Sequence, residues 1–379
     1  MSGQSIIDNL GITKLINAGG PNTKHSGSRP RPETIRAMKA MSEVFVDMEE
    51  LLIAAGRRIA DLTGNEAATI TSGASGGLVV QAAAAMAKDD PERIYQLPIT
   101  DGIPNELIIQ RGHRFIYDHL YLIPGARFVE VGRPTDCTVD ELAGAITQNT
   151  AGFVHLESPF KEHLGVPLNE LVDLAHSHNL PVLADGASML PPRENLTKYT
   201  EQGADLVSFS GGKAIRGPQS TGFLVGKKEW IEYARLNNAP NPVAARAQKV
   251  SKEEIAGLLT AIELFTDIDE EAETSKYREQ MNFVVDQIVE IPGITAKVVH
   301  NYDHYIPHAV IRLNNDWAGH TYEEIAEKMK RTKPRVYIRV DHRPHPDRMW
   351  IDPLNLQEGE LEIVANKLRT VLIESIDGK

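Results

Sequence analysis

The stretch LPVLADGASMLPPRENLTKYTEQGADLVSFSGGKAIRGPQSTG, residues 180–222, decides the fold. A short apolar run, 181–184, ends in Asp185. A second, 206–209, ends in Ser210-Gly211-Gly212-Lys213, and a third, 222–225, follows. Apolar runs of four or five residues that close on polar loops are buried strands of a parallel sheet, not faces of an amphipathic helix. Between the first two runs lies a segment long enough for a crossover helix.

The same unit recurs outward from this stretch. Strands are expected at 68–71, 106–110, 127–131 and 152–156, with helices at 49–62, 78–88, 116–122, 138–146 and 168–176. About seven strands alternating with helices predict an α/β fold with a wide, mostly parallel, doubly wound sheet. Upstream, NAGGPNTKHSGSRPRP is punctuated by Gly, Pro and Asn and reads as irregular structure before a helix near Pro32. Downstream, Ser251 with Glu254 three residues on caps a helix over 251–267. The remainder, with strands at 309–313 and 335–340, reads as a smaller C-terminal α+β domain. The expected divisions are an N-terminal segment, 1–46, a large domain, 47–250, and a small domain, 251–379, with a linker over 233–250.

The chain has 379 residues, 41% apolar and 24% charged, which is globular composition. Its formal charge of −12 repels phosphate backbones, and no basic run offsets it, so no nucleic-acid partner is expected. A single cysteine, Cys137, excludes an intramolecular disulfide and argues against a structural zinc site; no metal is expected. The N-terminus does not read as a signal peptide. The longest apolar stretch, 78–87, is interrupted by Gln81 and too short for a bilayer. A cytoplasmic protein without a membrane partner is the expectation.

Ligands of open α/β sheets bind beyond the carboxyl ends of strands. Three such places hold chemistry. Thr71-Ser72-Gly73-Ala74-Ser75-Gly76-Gly77 opens a helix, and its small residues let an anion approach free N–H groups. A tight turn with Ser72 as cap accounts for the same residues. Asp185 is a strand-end acid, and a helix cap would explain it equally. Lys213 ends a buried strand, where desolvation lowers a lysine pKa and frees a lone pair for attack on a carbonyl; a surface lysine on a flexible turn is the alternative. Together the three form the constellation for pyridoxal 5′-phosphate. The lysine makes the Schiff base, the acid keeps the pyridine nitrogen protonated, and the loop binds the phosphate.

At these residues the chain resembles the fold-type I pyridoxal-phosphate enzymes, in the group around bacterial selenocysteine synthase and the D-glucosaminate-6-phosphate ammonia-lyases. The most specific matching stretches are FSGGKAIRGPQSTG (209–222) and IIQRGHR (108–114). INAGGPNTKHSGSRPRPE (16–33) and LPVLADGASMLPPRENL (180–196) extend the likeness, which covers nearly the whole chain. The resemblance implies that Lys213 is the Schiff-base lysine and later the acid/base at the substrate Cα, and that Asp185 pairs with the pyridinium. It implies that Ser72, Gly73, Ala74 and Ser210 hold the cofactor phosphate and that His113 stacks on the ring. Gln219, Ser220 and Thr221 would reach the phosphate of a neighbouring subunit, because sites of this fold type usually lie at a dimer interface. A homodimer or higher homo-oligomer follows. Lys24, His25 and Arg29, in the loop 19–29, and Arg339, in VYIRV, are candidates for holding an anionic substrate, with a solvated loop and a surface ion pair as the alternatives. The shared region starts by about Lys14, which leaves no room for the N-terminal extension with which selenocysteine synthases hold transfer RNA.

The implied activity is a lyase that removes the Cα proton and the β-hydroxyl of a small polar amino acid or amino sugar acid, giving a 2-keto acid and ammonia. A racemase or epimerase shares the first step and needs a second acid on the opposite face, such as His113 or a tyrosine. An aminotransferase and a non-catalytic protein on the same fold complete the alternatives.

Overall fold

The structure, a computed structural model, describes residues 3–158, 164–301, 304–341 and 347–376. It divides into two compact units, residues 30–268 and residues 1–29 with 269–379. These boundaries differ from the expected ones at 46 and 250. The capped helix Lys252–Thr266, with Ser251 and Glu254 closing a reciprocal capping box, packs on helices Pro32–Ser42 and Met48–Thr63, which keeps it in the larger unit. At the other boundary, strand Leu15–Asn17 pairs parallel with Arg335–Tyr337, which ties the N-terminus to the C-terminal unit.

The larger unit carries a seven-stranded sheet. Its strands are β1 (Ala67–Thr71), β2 (Glu106–Gln110), β3 (Arg127–Val131), β4 (Thr150–Leu156), β5 (Val182–Asp185), β6 (Leu206–Ser210) and β7 (Gly222–Gly226). Their order is β1-β7-β6-β5-β4-β2-β3. All neighbours pair parallel except β7, which runs antiparallel to both β1 and β6. Strands β2, β4, β5 and β7 are buried along their whole length, as expected where both faces of a sheet are covered.

The helix after β1 begins at Gly73, so the loop expected over 72–77 is itself the first turn of a buried helix, Gly73–Ala87. Its residues are small enough to sit directly on the sheet: a Cβ on Gly77 would meet Ser208 Oγ at 2.2 Å. The expected helix at 116–122 is a 3₁₀ turn, Asp118–Leu122, and helix Lys228–Leu236 occupies the start of the expected linker. The smaller unit is a four-stranded sheet, ordered Arg339–Asp341, Arg348–Ile351, His304–Leu313, Ile294–Asn301, with antiparallel neighbours. Among the described residues no helix is long and apolar enough to cross a membrane.

The amino end of the large sheet is held by a buried carboxylate. Asp205, 2% exposed, accepts the Val182 N–H at 2.8 Å, His176 Nε2 at 2.9 Å and Lys227 Nζ at 2.7 Å. Removing it leaves the buried Val182 N–H without its acceptor and breaks the contacts to His176 and Lys227. Asp205→Ala is expected to cost about 2–3 kcal/mol of stability, read as a lower urea midpoint with an unchanged slope.

Candidate active site

Strand ends bring the chemistry together. Paired parallel strands β5 and β6 finish side by side, Asp185 opposite Ser208, and Lys213 follows three residues after the end of β6. Asp185 is 4% exposed. Its Oδ1 accepts the Ala187 N–H at 2.9 Å. Burial pushes its carboxyl up from 3.8 to about 6, and the Ala187 N–H and the Lys213 charge oppose that rise. Lys213 is half-buried, and its Nζ donates to Ser188 Oγ at 2.6 Å. Ser188 lies in the same DGAS turn as Asp185, so one turn holds the acid and orients the amine.

The glycines around Lys213 make room for the chain itself. A Cβ on Gly211 would meet Thr221 Oγ1 at 2.4 Å, and one on Gly212 would meet the Gln219 Cα at 2.8 Å. The chain's own returning loop packs there, not an external ligand. Thr221 is correspondingly fully buried, and its hydroxyl donates to Pro218 O at 2.7 Å. Its proton is therefore committed within its own loop. Ser220 donates to Glu254, and Gln219 is exposed.

The cradle lies at the end of β1. Gly73 has φ +68°, a conformation that favours glycine, and Gly222 abuts it so closely that a Cβ would meet the Gly73 carbonyl carbon at 2.3 Å. Ser72 is the helix N-cap but makes no side-chain cap bond. The first-turn N–H groups thus keep their capacity for an anion, and the Ser72 hydroxyl is not spent on them. Ser208 Oγ donates to Ala74 O at 3.1 Å, which fastens the cradle to β6, and Ser210 is half-buried two residues further along that strand.

His113 follows β2 and is 2% exposed. Its Nδ1 accepts the Leu156 N–H at 3.3 Å, which places the ring proton on Nε2, 2.9 Å from Leu164 O. Both nitrogens are engaged by backbone groups. The ring meets His155 edge-on, with centroids 4.5 Å apart. His155 Nε2 lies 3.1 Å from Glu157 Oε1, and its buried Nδ1 has no hydrogen-bond partner among the described residues. This pair went unread because nothing in the run VHLES separates it from an ordinary strand end. Ser188 was legible only as a neighbour of Asp185.

Four expected residues lie in the smaller unit. Lys24 is exposed in the 3₁₀ turn Thr23–His25, where His25 stacks on Tyr337 with ring centroids 3.5 Å apart. The Arg29 N–H donates to Asn355 Oδ1 at 3.1 Å. Arg339 lies over the Trp350 ring at 4.9 Å. Among the described residues no three His, Cys, Asp or Glu side chains group as a metal site.

These residues suit pyridoxal 5′-phosphate on structural grounds: an uncapped helix start for the phosphate, a buried carboxylate that a protonated ring nitrogen would stabilise, and an amine within electrostatic reach of it. Comparison with known proteins agrees. Residues 56–291, more than half of the chain, match the family described as SelA, L-seryl-tRNA selenium transferase. A 5′-C-glycyluridine monooxygenase-decarboxylase of a Streptomyces species is 31% identical, over 96% of this chain and 91% of that protein. The D-glucosaminate-6-phosphate ammonia lyase of Salmonella typhimurium is 29% identical over 98% of this chain and 99% of its own. A solved D-glucosaminate-6-phosphate ammonia-lyase superposes with a TM-score of 0.83 at 28% identity, covering 98% of both chains. A serine palmitoyltransferase with its pyridoxal-phosphate internal aldimine shares the fold alone, with a TM-score of 0.60 at 15% identity over 96% of this chain and 88% of that one. The fold is the fold-type I architecture of pyridoxal-phosphate enzymes, and the chain belongs to the L-seryl-tRNA selenium transferase (SelA) family.

Proposed function

We propose that the protein is a pyridoxal-phosphate-dependent lyase of the ammonia-lyase type, acting on a small polar β-hydroxy amino acid or amino sugar acid. The observation that carries this reading is the convergence of Asp185 and Lys213 on adjacent strand ends, beside the uncapped start of helix Gly73–Ala87. The ammonia-lyase relative, alike over nearly the whole of both chains, supports the reaction type. The charge of −12 supports a small-molecule substrate over a transfer RNA.

When bound, pyridoxal 5′-phosphate withdraws electrons from the substrate Cα and makes its proton acidic. Ser72, Gly73, Ala74 and Ser210 hold the phosphate. Asp185 holds a proton at the ring nitrogen. His113, buried and fixed by two backbone bonds, offers a ring face. Lys213 Nζ, oriented by Ser188, takes the Cα proton and returns it to the departing β-hydroxyl, which leaves as water. Hydrolysis of the resulting enamine releases ammonia and a 2-keto acid. Lys24, Arg29 and Arg339 carry the cationic groups that an anionic substrate needs, and Arg339 is held in place on Trp350. The protein works in the cytoplasm as a homodimer or higher homo-oligomer. The exposed apolar run Val44-Phe45-Val46, with Phe45 wholly exposed, supports a partner copy, and sedimentation giving a monomer would remove that part of the reading.

The test has two stages. The purified protein should show a visible cofactor band that borohydride bleaches, with the reduced adduct mapping to Lys213. A panel of amino acids and amino sugar acids is then scored for ammonia and keto acid. The 31% identical relative, a monooxygenase-decarboxylase, favours a second reading, an oxygen-dependent decarboxylation. It is separated by its signature: dioxygen uptake and carbon dioxide release in place of an oxygen-independent yield of ammonia and keto acid.

A further inference from the structure

Gln81 sits in the middle of helix Gly73–Ala87, surrounded by Val, Leu and Ala, and is 0% exposed. Beyond Ser75 it is the one polar residue of that helix. A side chain of similar length without polar atoms would fill the same space at no cost in desolvation, so its amide needs an explanation. The amide is used in full. Its two N–H hydrogens go to Ala184 O and Leu206 O, each at 3.0 Å, and its oxygen accepts the Tyr121 hydroxyl at 3.0 Å. Tyr121 is itself fully buried, within electrostatic reach of Asp185.

The two carbonyls are placed to matter. Ala184 immediately precedes Asp185, and Leu206 lies on the neighbouring strand that leads to Lys213. The helix that carries Gln81 starts with the cradle, about 10 Å back along its axis. The helix is therefore pinned to β5 and β6 at two points: Ser208 on Ala74 at the cradle, and Gln81 on Ala184 and Leu206 beneath the acid.

We propose that Gln81, with Tyr121 behind it, is a positioning residue that fixes the ring-nitrogen anchor Asp185 relative to the phosphate cradle. The cofactor would be gripped at both ends, and this clasp sets the distance between the grips. The inference rests on the pyridoxal-phosphate reading. That reading is tested first on the wild-type protein, since failure to take up pyridoxal 5′-phosphate with a visible band sinks it before any variant is made.

Gln81→Met keeps the length and apolar fit and removes all three hydrogen bonds, while Tyr121→Phe removes only the phenol proton. The experiment titrates each apoprotein with pyridoxal 5′-phosphate, follows the visible band of the loaded protein against pH, and records thermal unfolding of both forms. Gln81→Met is expected to weaken cofactor binding about tenfold and to move the pH midpoint of the band. Tyr121→Phe should move the midpoint in the same direction, with a loss of about threefold in affinity. A purely structural Gln81 would lower the unfolding temperature and leave both other readouts at wild-type values, and that result overturns the proposal. Should Gln81→Met not fold, Tyr121→Phe alone decides: an unchanged affinity and midpoint in that variant overturn it equally.

Discussion

Lys213→Ala is expected to abolish turnover, a loss of about four orders of magnitude or more, while leaving cofactor binding measurable. The two expectations have separate origins in the structure. On the proposed reading the phosphate would be held by Ser72, Gly73 and Ala74 and the ring nitrogen by Asp185, and the helix start and the Asp185–Ala187 bond that place these groups do not involve Lys213. The Lys213 amine donates to Ser188 Oγ, a side-chain contact outside the strand ladder, so its removal leaves the backbone bonds of the sheet in place. What disappears is the nucleophile and the base at Cα. A small primary amine added to the Lys213→Ala protein should restore part of the rate, because it replaces the group and not a fold element. Lys213→Arg should not, since a guanidinium stays protonated and has no lone pair to offer. Substantial activity in Lys213→Ala without added amine would remove Lys213 from the mechanism and, with it, the lyase assignment.

The site residues that were legible in the sequence share one property: each follows a short apolar run directly. Asp185 and Lys213 stand out because a buried parallel strand has a strong compositional signature and its carboxyl end is where ligands bind. Gln81 carries no such mark. To a periodic reading it is one polar residue among nine apolar ones, and only the three-dimensional placement of Ala184, Leu206 and Tyr121 gives it partners 40 to 125 residues away. The same holds for Thr221, which reads as a ligand-facing hydroxyl until the loop folds back on Gly211. The compact units differ from the expected divisions for a related reason. Strand Leu15–Asn17 finds its partner at Arg335–Tyr337, and a pairing across most of the chain has no local signal. The parallel sheet itself was readable because its units are local and repeated.

Asp185→Asn is expected to slow turnover by about a thousandfold and, at neutral pH, to make the apoprotein more stable. The sign follows from the carboxyl pKa. Burial raises it from 3.8 to about 6, so between those values the native chain binds the proton that the unfolded chain releases. Stability falls as pH rises through that window. Above about 6 the buried charge costs a constant amount, about 3 kcal/mol for a shift of this size. Asparagine keeps an oxygen for the Ala187 N–H and carries no charge, so the cost disappears. Urea unfolding of the two apoproteins should therefore show a gain in the variant above the window that vanishes below it. A variant no more stable at alkaline pH would mean that the carboxylate is better solvated than its 4% exposure implies. The rate loss arises from the same charge. A buried carboxylate that is costly on its own is stabilised by a protonated ring nitrogen and keeps that proton in place, which the neutral amide does only weakly. Loaded with pyridoxal 5′-phosphate, the wild type should recover the stability that the variant holds without it. On the proposed reading the destabilised acid keeps the ring nitrogen protonated, and a full rate in Asp185→Asn would assign that role to another group.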